Sequence, residues 1–275
     1  MTYHVALAGK GSSGKSTLVP HLVRHFLSTS SRVLVVDADP NGTASFLVGA
    51  PTGAPTIGAL RSQYEREFKT GVGVAMDVSR EEFAEGKMGE EALIELDGFH
   101  LLTMGRWDLA GSQCAVNRVL ERSLATLAQR YDVVITDYEA GLEPLGRYTA
   151  IPIDHLLMIA TPDLLSLRVA GEIWNYCRTI GRDVRGASLL LNRVSGTGVP
   201  EGLLGQLTQL SHAGLPLAGV LQESKAIGDW SQGKTRTPNG GDWQRWENST
   251  SLVFKMLFHL IVFDEAQLTL KVEAN

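Results

Sequence analysis

The chain has 275 residues, 44% of them hydrophobic and 20% charged, with a formal charge of −5; this is enough to bury one large core. The acidic balance argues against broad, non-specific binding to nucleic acid. Thr2, Tyr3 and His4 lead straight into an apolar run with no charged leader, so the expectation is a cytoplasmic protein without a signal peptide, its two cysteines, Cys114 and Cys177, held as free thiols.

"YHVALAG" (3–9) reads as a short strand ending in a glycine-rich loop. Leu18, Leu22 and Phe26 then recur on one helical face, with Pro20 out of keeping with a helix interior. "RVLVVDADP" is a near-continuous β-branched run, the pattern of a strand buried on both faces. Residues 51–97, rich in Gly, Glu and Lys, read as surface helices and loops. "FHLLTMG", "YDVVITDYEAG", "HLLMIATP" and "ASLLLNRV" supply further strands, with helices expected at Val116–Gln129 and Leu164–Gly181 between them. Strands alternating with helices give an α/β fold, a mainly parallel twisted sheet with helices on both faces. A turn-rich elaboration at about 233–247 carries Trp243 and Trp246. The stretch "SLVFKMLFHLIVF" is too short to span a bilayer and apolar nearly all round, and it is read as core. The whole chain, 1–275, is taken as one domain.

Gly9-Lys10-Gly11-Ser12-Ser13-Gly14-Lys15-Ser16 fits G-x-x-x-x-G-K-[ST], after a strand and before a helix. Glycines let the amides of Gly11, Ser12, Ser13 and Gly14 converge on phosphate oxygens, and the helix N-terminus carrying Ser16 and Thr17 adds partial positive charge. Lys15 is placed for the β/γ-phosphates of ATP and the Ser16 hydroxyl for Mg²⁺. A cradle needs one lysine; this loop has two.

The extra one, Lys10, makes "GKGSSGKST" resemble the deviant Walker A loop, usually K-G-G-x-G-K-T-T, of the class that holds the MinD and ParA positioning ATPases, nitrogenase iron protein and metal-insertase ATPases. Ser12 stands for its usual second glycine and Ser13 for its usual apolar residue. The resemblance implies a P-loop NTPase fold and a homodimer closed through the nucleotide face, in which Lys10 contacts the partner's phosphates. "VLVVDADPNGT" resembles the class's D-x-D-P motif, which implies that Asp37 stands behind Mg²⁺ and that Asp39 orients or deprotonates the attacking water. Taken alone, the two carboxylates before Pro40 would only cap a turn. Asp137, after four apolar residues, takes the place of the Walker-B carboxylate near Mg²⁺, at a strand's carboxyl end.

"DYEAGLEPLGR" narrows the resemblance to CooC-type ATPases, maturation factors associated with nickel insertion into carbon monoxide dehydrogenase, whose usual form is D-x-E-A-G-x-E-H-x-G-R; here Pro144 replaces the histidine. "LLTMGRWDLAGSQC" and "LLLNRV" fit the same type, the latter offering Asn192 as an adenine contact. Its members usually carry Cys-x-Cys, two thiolates per subunit; this chain has Ser112-Gln113-Cys114, leaving Cys114 as a weak dimer-interface ligand for Zn²⁺ or Ni²⁺, or as a small semi-buried residue. His21 and His25, one helical turn apart, suit a metal pair, but two ligands without a third fit a solvated helix face better. The leading expectation is a MgATP-dependent dimerising ATPase that serves the maturation or metal loading of a client metalloenzyme, with neither nucleic acid nor membrane as partner. The alternatives are a ParA- or MinD-like positioning ATPase and a low-turnover ATP-dependent regulatory module.

Overall fold

The computed structural model describes residues 2–29, 31–69, 87–106, 113–147, 151–196, 198–231, 234 and 240–258. Strands β1 (Tyr3–Gly9), β2 (Val33–Ala38), β3 (Leu93–Leu96), β4 (Phe99–Thr103), β5 (Val133–Tyr138), β6 (His155–Ala160), β7 (Ala187–Val194) and β8 (Leu217–Gln222) form one sheet in the order β3-β4-β2-β5-β1-β6-β7-β8. Only the β3–β4 pair is antiparallel. Helices among the described residues include α1 (Lys15–Leu27), α2 (Thr43–Leu47), α3 (Ile57–Lys69), α4 (Gln113–Leu127), α5 (Glu143–Arg147), α6 (Leu164–Thr179), α7 (Leu204–His212), α8 (Lys225–Ser231) and α9 (Gly240–Phe258).

Strand periodicity divides the core in two. Ala6 and Ala8 of β1, with Leu34 and Val36 of β2, face α4, α6 and α7. Their chain neighbours Val5, Leu7, Val33 and Val35 face the other way, onto Leu18, Leu22 and Phe26 of α1 and Trp246, Phe254 and Phe258 of α9. Both faces of the central strands are therefore dry, which is why they read as unbroken apolar runs. The order of strands brings the carboxyl ends of β1, β2 and β5 together: Asp37 lies opposite Asp137 in register, and Leu7, two residues before the loop, also pairs with Asp137.

The parallel sheet follows the sequence expectation, and α6 begins where expected. Helix α1 runs through Pro20, although the ring leaves the Ser16 carbonyl without its usual amide donor. Two strands were not foreseen. β3 lies inside the 51–97 elaboration, where it pairs with β4 and makes one edge of the sheet; residues 70–86 lie outside the described set. β8 is broken up in sequence by Gly219, whose missing side chain is a packing device: a Cβ there would lie 2.8 Å from both Val253 methyl groups of α9. The reading of the late apolar stretch as core needs correction. Val253, Phe254 and Phe258 are buried, whereas Leu252 and Met256 are 61% and 68% exposed on the outer face of α9. Residues from 259 onward lie outside the described set. Among the described residues, no helix is long and apolar enough to cross a membrane.

Candidate nucleotide site

The loop's glycines stand where the chain runs too close to its neighbours for a side chain. Gly9 has φ +144°, and a Cβ on it would lie 2.2 Å from the Ile159 carbonyl oxygen of β6. Gly14, which precedes α1, has φ +96°, and its Cβ would meet the Asn192 amide nitrogen at 2.3 Å. Ser12 adopts φ +65° despite its side chain, so serine carries the left-handed turn at the position of the usual second glycine. The Ser13 amide donates to the Lys10 carbonyl at 3.2 Å, closing the turn.

Lys15 is buried at the base of this turn. Its ammonium folds back to donate to the Gly9 and Lys10 carbonyls at 3.3 and 3.4 Å. Burial lowers its pKa, and the charges of Asp137, Asp39 and Glu139 oppose that shift. Ser16 donates its hydroxyl to one oxygen of Asp137 at 2.5 Å. The other oxygen of Asp137 is buried and has no hydrogen-bond partner among the described residues. Burial, then the neighbouring Asp37, pushes this carboxyl up to about 7. Asp37 is fully buried and accepts from the amide and hydroxyl of Ser45, both at 2.7 Å, and from the Asp39 amide at 3.2 Å; the Ser45 hydroxyl is 2.7 Å from that of Thr103. Its pKa is raised by burial, against the pull of the Ser45 bonds.

Asp39 is half-buried, its carboxylate accepting from the backbone and side-chain amides of Asn41, both at 2.8 Å. Arg106 donates in turn to the Asn41 side-chain oxygen. Lys10 sits at the rim. Its charge reaches Asp163, the N-cap of α6, whose pKa is lowered first by the Thr161 hydroxyl. On the same rim, Gly11 faces Ala140, and the exposed leucines Leu142, Leu164 and Leu165 follow close in sequence on Ala140 and Asp163.

Beside the loop, the ends of β7 and β8 enclose a cavity of about 170 Å³ lined by Thr17, Asn192, Gln222, Glu223, Ile227 and Trp246, among others. Asn192 also braces the loop: it donates an N–H to the Ser13 carbonyl at 2.9 Å, and its side-chain oxygen accepts from the Arg193 amide at 3.0 Å. Arg193 itself sits at φ +60°.

The loop, Asp37, Asp39, Asp137, Thr17 and Asn192 thus come together at one end of the sheet. Sequence reasoning missed Ser45, which holds Asp37, Thr103, whose hydroxyl meets that of Ser45, and the place of Trp246 in the cavity. Ser45 lies eight positions past Asp37, in a helix too short to announce itself. Ser112 and the side chain of Cys114 lie outside the described residues. Cys177 is a buried free thiol, pushed up to about 11 by burial. His21 and His25 do not form a solvated face. His21 packs edge-on against Trp246 with ring centroids 4.6 Å apart, and His25 packs against Phe26 and Phe254. Among the described residues, no group of three or more His, Cys, Asp or Glu is arranged to hold a metal ion. Magnesium that arrives with nucleotide needs no such cage, because it keeps waters and takes phosphate oxygens. A hydroxyl, a buried carboxylate with one unpartnered oxygen and a second carboxylate behind it fit such a hard cation.

The model of the CobQ/CobB/MinD/ParA nucleotide binding domain matches residues 4–236. The carbon monoxide dehydrogenase accessory protein CooC of Rhodospirillum rubrum is 30% identical over 190 residues, covering 64% of this chain and 70% of that protein. An uncharacterized ATP-binding protein of Methanocaldococcus jannaschii is 27% identical over 226 residues, covering 82% and 87%. The solved structure of the cell division ATPase MinD of Pyrococcus furiosus superposes with a TM-score of 0.65 at 17% identity, covering 94% of this chain and all of that one.

Proposed function

Because the chain belongs to the CobQ/CobB/MinD/ParA nucleotide-binding family, we propose that it is a MgATP-dependent ATPase that dimerises through its nucleotide face and serves the maturation or metal loading of a client metalloenzyme. The observation that carries the nucleotide reading is the group gathered under the loop: the Lys15 ammonium, the Ser16 hydroxyl and the unpartnered oxygen of Asp137. In this reading Lys15 leaves the Gly9 and Lys10 carbonyls, which hold it only at 3.3–3.4 Å, for phosphate oxygens. Ser16 and Asp137 hold the magnesium ion, with Asp37 behind them, and the bound ion supplies charge neutralisation to the phosphates. Asp39, at the half-open edge of the site, orients the attacking water and accepts its proton. Base and ribose lie toward Thr17 and Asn192.

Lys10 has no phosphate of its own to serve, because Lys15 occupies the cradle. Its place on the rim, beside the exposed Leu142, Leu164 and Leu165, supports a role across the interface of two protomers. The client rests on the "EAGLEPLGR" segment and on the likeness to the CooC accessory protein. The test is light scattering with MgATP and MgADP, together with turnover. The Asp39→Ala protein binds ATP and accumulates as a dimer without hydrolysing it; the Lys10→Ala protein binds ATP but neither dimerises nor hydrolyses. A Lys10→Ala protein that dimerises and turns over like the parent refutes the interface role. A positioning role of the MinD or ParA kind is the second reading, favoured by the outward-facing Leu252 and Met256 on either side of Lys255; ATP-dependent sedimentation with anionic vesicles or DNA tests it.

A further inference from the structure

The family match ends at residue 236, yet α9, which begins at Gly240, reaches back into the site. Its Trp246 is only 4% exposed, and it shares a cavity with Thr17, which follows the phosphate loop, and with Asn192, which braces it. Several contacts fix the ring and its backbone. Its edge packs on His21 at 4.6 Å; the Thr250 hydroxyl donates to the Trp246 carbonyl at 2.8 Å; and Trp230 stands behind His21 at 6.5 Å. Ile227 of α8 adds a second apolar surface, while Asn192, Gln222 and Glu223 supply polar groups at the strand ends. A rigid aromatic wall, an aliphatic neighbour and a polar rim next to a phosphate cradle are what a flat heteroaromatic base needs: stacking or edge contact for affinity, and a few hydrogen bonds for orientation.

We propose that Trp246 is a base-contacting residue, so that α9 forms one wall of the nucleotide site and the affinity for ATP over bare triphosphate depends on it. This rests on reading the loop as a nucleotide cradle. It also assigns a role to the Trp-rich segment: Trp246 joins α9 to α1 through His21, and α1 is the helix that starts with Lys15 and Ser16.

Calorimetric titration with MgATP and with magnesium tripolyphosphate separates the base from the phosphates. Trp246→Ala is the direct variant. Gly228→Phe is the independent one, because Gly228 lines the same cavity and a Cβ there meets nothing within 4 Å, so the ring enters open space rather than the core. Thermal melting and circular dichroism verify folding, and if Trp246→Ala does not fold, Gly228→Phe carries the test. The expected result is a loss of ATP affinity of about tenfold or more in either variant, as aromatic contacts to bases give elsewhere, with tripolyphosphate binding unchanged. Trp246→Phe keeps most of the ATP affinity. Unchanged ATP affinity in the folded variants overturns the proposal, and so does an equal loss for both ligands, which would make Trp246 a support of the loop. If the parent protein binds neither ligand, the nucleotide reading itself fails, and the proposal with it.

Discussion

Replacing Gly14 by alanine adds two destabilising local effects, and the coupling of one of them to Asn192 can be measured. The residue sits at φ +96°, where an L side chain is strained by about 1–2 kcal/mol. The new methyl would also lie 2.3 Å from the Asn192 amide nitrogen, far inside van der Waals contact. Asn192 must therefore move, and its hydrogen bond to the Ser13 carbonyl goes with it, leaving a buried acceptor unpaired at a cost of about 1–3 kcal/mol. Together these predict that Gly14→Ala lowers stability by roughly 2–5 kcal/mol. Asn192→Ala loses the same hydrogen bond but adds no strain at Gly14. In the double variant the bond is already gone and the methyl has nothing to strike, so only the backbone strain is added. The two changes should thus sum to roughly 1–3 kcal/mol more than the double variant shows. Urea denaturation of the four proteins measures the cycle, and calorimetry with MgATP should show weakened binding in all three variants. Additive effects on stability would mean that Asn192 does not hold the loop through Ser13, and the account of the loop would be wrong.

Ser12→Gly should raise stability by up to about 1 kcal/mol with ATP binding retained, because it relieves the left-handed strain at φ +65°; a lower urea midpoint would refute this. Buried His4 and His21 and half-buried His155 are held down to about 4, 3 and 4, chiefly by burial. A group whose folded pKa is depressed contributes stability that is complete above its unfolded value, here about 6.5, and is lost as pH falls toward the folded value. His155→Gln should therefore flatten the fall in denaturation free energy between pH 6.5 and 4, and a parallel pair of curves would refute that share. One thiolate per subunit at Cys114 supports at most a weak site in the proposed dimer, so elemental analysis of the dimer fraction formed with ATP should find at most sub-stoichiometric zinc or nickel, absent from Cys114→Ser; a tightly held ion that survives a chelator would mean further ligands.

The central sheet and the loop were legible because their signals are local. Six apolar runs, a glycine spacing and carboxylates at strand ends each lie within about ten consecutive residues. What was missed is settled by contacts distant in sequence. Gly219 looks like an interruption until α9 is laid across it, and only then does β8 read as a strand. Trp246 is one tryptophan of a polar-looking segment until α9 turns it toward Thr17, more than two hundred positions earlier. His21 and His25 show the converse: their spacing suggests an open face, and α9 closes over it. Sequence showed that Ser12 departs from the usual glycine, but its positive φ is a property of the folded turn.

The anchoring of the loop makes the site mechanically lopsided. One jaw is a fixed anvil: Gly9 lies hard against the β6 backbone, and the turn is strapped to β7 through Asn192. The opposing jaw, which carries Asp39, continues into α2, five residues long, held by Ser45 on Asp37 and by Ala44 buried against α1, and presenting Phe46, 71% exposed, to the outside. In the proposed ATPase cycle, the Asp39 jaw is then the side expected to shift, with the phosphate cradle as its fulcrum.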